Sequence, residues 1–163
     1  MLDTVTHRIG QLSALVAALA FAVLLVALGA QFTAREVLGI GLIGADELAR
    51  LAFVWCALFG ASAAWCDDAL HRIDLLSRNC SGLAARLLGL LCQGLIAGVL
   101  CYLIFYGWRM SLRAWPQTTS SLEISGGWTY LALPIAAALM LVVCLIRAAQ
   151  LATASTPTAP QNP

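Results

Sequence analysis

Three stretches of this 163-residue chain contain no charged side chain: positions 9–34, 87–108 and 124–146, which are 26, 22 and 23 residues long. A fourth, positions 51–66, has 16. A helix rises about 1.5 Å per residue, so about 20 apolar residues cross the roughly 30 Å hydrocarbon layer of a membrane. Each long run is sufficient alone. The short one rises only about 24 Å and has to recruit the polar residues 46–50 to reach an interface. With 61% hydrophobic and 10% charged residues, a chain of this size cannot hide its apolar side chains behind a water-facing shell, so membrane lipid is the solvent for most of its surface. The expected fold class is all-α: a four-helix transmembrane bundle with helices at about 10–33, 46–66, 86–114 and 124–148. Positions 1–151 form one membrane domain in this reading, and the Ala, Thr, Pro, Gln and Asn of 152–163 make a disordered tail.

Several function classes fall away on composition. The net charge of +1 offers no basic face for nucleic acid. The six cysteines form no CxxC pair, which speaks against a disulfide scaffold or a thiol redox centre. Arg8 followed by an apolar run looks like a secretory leader, but the run passes 20 residues where a leader's apolar region has about 7 to 15, so a retained anchor is expected. Gly39, Gly41 and Gly44 are spaced as GxGxxG. No strand precedes them and no βαβ unit follows, so a flexible interfacial connection is the better account than dinucleotide binding. Asp67, His71 and Asp74 share a helical face, yet with one His and several Arg partners they read as a solvated, salt-bridged face and not as a metal site. No cofactor is expected.

Local signals mark the helix ends. Asp46 is suited to cap the second helix, Glu47 to sit at its positive end, and Arg50 to follow one turn later with its head at the interface. Between helices two and three, Ala69, Ile73 and Leu76 line one face and Asp67, His71, Asp74 and Arg78 the other, which predicts a short amphipathic segment lying on the membrane surface. Gly94 and Gly98 in helix three form a GxxxG, a motif that lets two helix backbones approach closely in lipid. That helix should continue through Arg109 and Arg113 and stop before Trp115-Pro116. Trp108, Trp115, Trp128 and Tyr130 suit an aromatic belt, Ser120 to Glu123 a capping box, and Gly126-Gly127 a loose lead into helix four, where Pro134 predicts a kink.

Four spans put both termini and the long middle loop on one face. That face carries five Arg and the other four, a weak preference for cytoplasmic termini. Ion-driven pumps place an Asp, Glu or His within a span; the three long runs have none, and His7 and His71 both lie outside them. Elimination points to a helper subunit.

The middle and end of the chain resemble the small membrane subunit of TRAP transporters, the DctQ-like family. The matching stretches are Asp46-Glu47-Leu48-Ala49-Arg50, Phe53-Val54-Trp55, Leu58-Phe59-Gly60-Ala61, His71-Arg72-Ile73-Asp74-Leu75-Leu76 and Ser121-Leu122-Glu123-Ile124, with Tyr130 and Pro134. Asp46 stands where many members have a second Glu, and Gly126-Gly127 is a departure. The resemblance implies a four-helix protein of the bacterial inner membrane with cytoplasmic termini. Its implied partners are a large multi-spanning permease subunit and a periplasmic substrate-binding protein. Uptake of an organic anion, such as a dicarboxylate, would be driven by an ion gradient, with the small subunit bracing the static part of the large one. Asp46, Glu47, Arg50, Gly60, Gly94, Gly98, Arg109, Arg113 and Glu123 are the expected partner-facing residues, and His71 and Asp74 a cytoplasmic-face motif. The competing readings are a stand-alone structural or assembly protein and a small homo-oligomeric channel or exporter.

Overall fold

The computed structural model describes residues 2–67, 83–118 and 124–153. They form four helices, α1 (Leu2–Leu38), α2 (Ala45–Asp67), α3 (Leu83–Ala114) and α4 (Gly127–Thr153). All four are long and apolar enough to cross a membrane. Among the described residues there is no strand, only an isolated bridge between Thr118 and Ser125. The segment expected to lie on the membrane surface, with His71 and Asp74, falls outside the described residues apart from Asp67.

Helices α1 and α4 depart most from the expected bounds, α4 also running on to Thr153 where 148 was expected. Helix α1 extends at both ends past positions 10–33, taking in His7, Arg8, Arg35 and Glu36. Charges limit what can lie in hydrocarbon, whereas a helix continues into the wet interface at no such cost. Helix α4 starts at Gly127 and not at 124, because the preceding residues close a turn. The Gly126 amide donates to the Gln117 carbonyl at 2.7 Å, and the Ser125 hydroxyl donates to the Trp115 carbonyl at 2.7 Å.

The Gly-rich connection between α1 and α2 is two helix ends and a short link. Gly39, at φ 66°, ends α1 in the left-handed region that favours glycine. Gly44, at φ 88°, precedes α2, and its carbonyl accepts from Leu48 N at 3.0 Å. The cap position of α2 is thus Gly44 and not Asp46; Asp46 and Glu47 lie in the first turn, where their charges still complement the helix dipole. Helix α3 ends at Ala114, ahead of Pro116, and the Gln117 amide returns to the Ala114 carbonyl at 3.1 Å.

The helices pack as two hairpins joined along one seam. Helix α1 lies on α2 and α3 lies on α4, while α2 meets α4; α1 only grazes α4, and among the described residues α3 touches α4 alone. Helix α4 is consequently the central element. About 33% of its most apolar stretch is buried, against 6% for that of α3. With Phe59 and Leu100 the large ones, the core is made mostly of small side chains, such as Ala49 and Ala52 on α2 and Ala132, Ala136, Ala137, Val143 and Cys144 on α4. In lipid, where apolar surface has no reason to leave its solvent, such residues hold helices together by letting backbones come close.

Candidate partner faces and the seam between hairpins

The four buried polar residues Ser13, Ser62, Ser111 and Arg147 are each used in a contact between helices, while Gln31 Oε1 and Trp65 Nε1 are buried with no partner among the described residues. Ser13 of α1 and Ser62 of α2, both fully buried, have their hydroxyls 3.2 Å apart. Buried Ser111 of α3 donates to the Gly127 carbonyl at 3.1 Å, pinning the start of α4. Cys144 of α4 donates its thiol to the Gln93 side-chain oxygen at 3.1 Å. The fourth, Arg147, is 6% exposed and reaches from α4 to the end of α2. Its Nη2 donates to the Trp65 carbonyl at 2.6 Å, and its guanidinium lies 5.1 Å from the centre of the Trp65 ring. Trp65 is in the last turn of α2, where carbonyls lack intrahelical donors and the dipole is negative, so Arg147 caps α2 from a neighbouring helix.

The seam has a second bond near the other end of α4. The Trp55 indole N–H donates to the Trp128 carbonyl at 3.1 Å, while the Trp55 ring stacks on Phe59 with centroids 5.4 Å apart. Beside it an apolar groove of about 620 Å³ opens between α1, α2 and the start of α4, and Leu19, Val23, Leu48 and Trp128 are among its walls. Through Val23 and Leu48 it continues into a second groove of about 530 Å³ beside the α1–α2 connection. Neither groove has a charged wall residue, so neither offers a counter-charge to an organic anion.

Glycines mark where backbones approach. A Cβ at Gly107 of α3 would meet Pro134 Cδ at 3.1 Å, so the proline ring of α4 is seated on a glycine. A Cβ at Gly127 would lie 2.4 Å from Trp115 Cε3 and 3.2 Å from the Ser111 carbonyl. The Gly126-Gly127 pair is therefore one of the most closely packed points of the α3–α4 hairpin, not a loose lead. At Gly10, a Cβ would sit 3.1 Å from Cys66 Cβ. Gly60 faces α1, with Ala17 Cβ at 4.0 Å.

The expected partner-facing residues divide into three sets. Asp46 and Arg50 are exposed and Glu47 is half-buried, all in the first turns of α2. Gly94 and Gly98 are exposed with no described residue within 4 Å of an added Cβ, so the GxxxG is not used in packing among the described helices. Arg109 and Arg113 are exposed near the end of α3, Arg109 5.4 Å from the centre of the Phe105 ring. Glu123 falls outside the described residues. Pro134 is buried on α4 against Gly107, within a helix continuous from Gly127 to Thr153.

Sequence pattern alone missed the buried serines, the Cys144–Gln93 pair, the Trp55 and Arg147 bonds, and Gly107. Most of them share one signal, a small or hydrogen-bonding residue inside an apolar run, with Ser111 and Arg147 just past the ends of two runs, and the chain has more such positions than it has contacts. Among the described residues no three His, Cys, Asp or Glu side chains gather where a metal ion would sit.

Comparison with curated proteins returned no match. Residues 24–154 match the family described as the DctQ component of tripartite ATP-independent periplasmic transporters. That stretch takes in all of α2, α3 and α4 and the C-terminal part of α1 from residue 24, including the α2–α4 seam and the α3–α4 hairpin. The chain is thus a transporter component and not an enzyme, a multi-pass protein of the inner membrane, and it belongs to the DctQ family of TRAP transporters.

Proposed function

We propose that this chain is the small membrane subunit that braces a large permease during binding-protein-dependent uptake of an organic anion driven by an ion gradient. The observation that carries the bracing role is the use of polar side chains. Ser13, Ser62, Ser111 and Arg147 are buried and bond between helices, which is how a fixed support is built and not how a substrate is gripped. The uncharged grooves and the family membership agree with it. In this reading the termini are cytoplasmic, as the five-to-four Arg distribution favours. The α1–α2 connection and the ends of α3 and α4 around Trp115 and Trp128 then face the periplasm and the binding protein.

The test is purification of the tagged chain from native membranes in mild detergent, followed by reconstitution into vesicles. A large multi-spanning permease should co-purify in stoichiometric amount. Uptake should require that permease, this chain and the soluble binding protein together. Recovery of the chain alone or as a homo-oligomer, or uptake by the chain without a permease, would overturn the reading.

A further inference from the structure

The outward face of α3 is built unlike a lipid-facing surface. At 100° per residue, Gly94, Gly98, Tyr102, Phe105 and Arg109 fall within a sector about 80° wide. The residues that bury α3 against α4, Leu100, Gly107 and Ser111, cluster on the opposite side. Tyr102 is 60% exposed and Tyr106, on the same flank, 47%. Their rings pack on each other with centroids 4.3 Å apart, and neither hydroxyl has a hydrogen-bond partner among the described residues.

Depth makes this costly. Within the charge-free run 87–108, Tyr102 lies about 22 Å from one end and about 9 Å from the other, inside the hydrocarbon layer. Side chains of a helix lean toward its N-terminus, which in α3 carries the Tyr102 phenol away from the nearer end. It therefore does not reach the wet interface where Tyr is ordinarily placed. A hydroxyl left in hydrocarbon without a partner is unfavourable, and two exposed glycines weaken a helix without any packing return.

We infer, resting on the two-subunit reading above, that this face of α3 docks a transmembrane helix of the large permease subunit. That helix brings a hydrogen-bond acceptor to the level of Tyr102 and a close backbone approach at Gly94 and Gly98. Charge selects this occupant over a second copy of the chain. In a parallel two-fold pair across Gly94 and Gly98, Arg109 would face its own symmetry mate and Arg113 would reinforce the repulsion. Lipid supplies neither a fixed acceptor inside the hydrocarbon layer nor a reason for the glycines.

The test uses the full chain in membranes that also contain the permease. Tyr102 is replaced by the photoreactive analogue p-benzoyl-phenylalanine; irradiation is expected to join the chain to the large subunit. Tyr102→Phe, which keeps the ring, should lower the apparent affinity for the permease about three- to twentyfold. The pair Gly94→Leu and Gly98→Leu should abolish co-purification while the isolated chain keeps its helical content, because both positions are exposed and no described residue lies within 4 Å of a Cβ added there. If wild-type chain recovers the permease but the adduct forms only with lipid or with another copy of the chain, the face is wrongly assigned and the two-subunit reading stands. If both glycine and tyrosine variants recover the permease as well as wild type does, the assignment likewise fails. If wild-type chain recovers no permease, both readings fall.

Discussion

Glycine has opposite meanings at different positions of α3 and α4, and the difference is read from what a methyl group would meet. At Gly127 it would lie 2.4 Å from the Trp115 ring, and at Gly107 3.1 Å from the Pro134 ring. No described residue flanks it at Gly94 or Gly98. Gly127→Ala and Gly107→Ala are expected to destabilise the isolated chain by about 1 to 3 kcal/mol, the usual cost of overpacking. Gly94→Ala should be neutral or stabilising by up to about 1 kcal/mol, since alanine is the better helix former. Unfolding of the detergent-solubilised chain by titrated SDS would check the contrast; equal losses at Gly94 and Gly127 would show that α3 packs differently. The GxxxG was legible in the sequence because it is a motif, but its direction was not. Gly107 belongs to no motif, and its role appears only when Pro134 is placed opposite it.

At the scale of the element, the α2–α4 seam is held by two bonds 10 residues apart on α2 and 19 apart on α4, one from Trp55 and one from Arg147. Removing the Trp55 donor as Trp55→Phe keeps an aromatic ring against Phe59 and should cost about 1 kcal/mol. Arg147→Gln removes a charged donor from the last turn of α2 and should cost about 2 kcal/mol. Sites so far apart ordinarily add within about 0.5 kcal/mol. If the seam moves as one rigid contact, the double variant will exceed the sum by more than that margin, and simple additivity in the same SDS titration would mean two independent pins. None of this was readable from periodicity. The apolar runs located the spans because charges are excluded from hydrocarbon. They carried no information on neighbour order, because a leucine facing lipid and a leucine facing another helix are chemically alike. Arg147 is, in the sequence, only the charge that ends the run 124–146 and one of the five Arg on the face with the termini, and its capping of α2 needed the two helix ends to be brought together in space.

For the molecule as a whole, an open arrangement follows from α3 resting, among the described residues, on α4 alone, with large exposed side chains along both outer helices, such as Leu25 and Phe32 on α1 and Leu91 and Leu95 on α3. A closed bundle would turn polar serines and glycines inward and leave little for a partner. Here the serines are used within the hairpins while an entire flank of α3 is left available, which suits a subunit that completes its packing on another protein. The exposed Arg109 and Arg113 lie at the end of that flank nearest the Trp115–Trp128 pair. In the proposed orientation they face the periplasm, where rim charges set encounter rate more than final affinity. Reversing both, as Arg109→Glu and Arg113→Glu, is therefore expected to raise by about tenfold the concentration of binding protein needed for half-maximal uptake, with the increase shrinking as ionic strength rises. The maximal rate at saturating binding protein should fall much less if the subunits remain assembled, which co-purification of the large permease would establish in the same preparation. An unchanged requirement for binding protein with assembly intact would remove the outer end of α3 from the encounter surface. Loss of the permease from the variant would instead assign both Arg to the membrane interface, continuous with Tyr102 and the glycine pair.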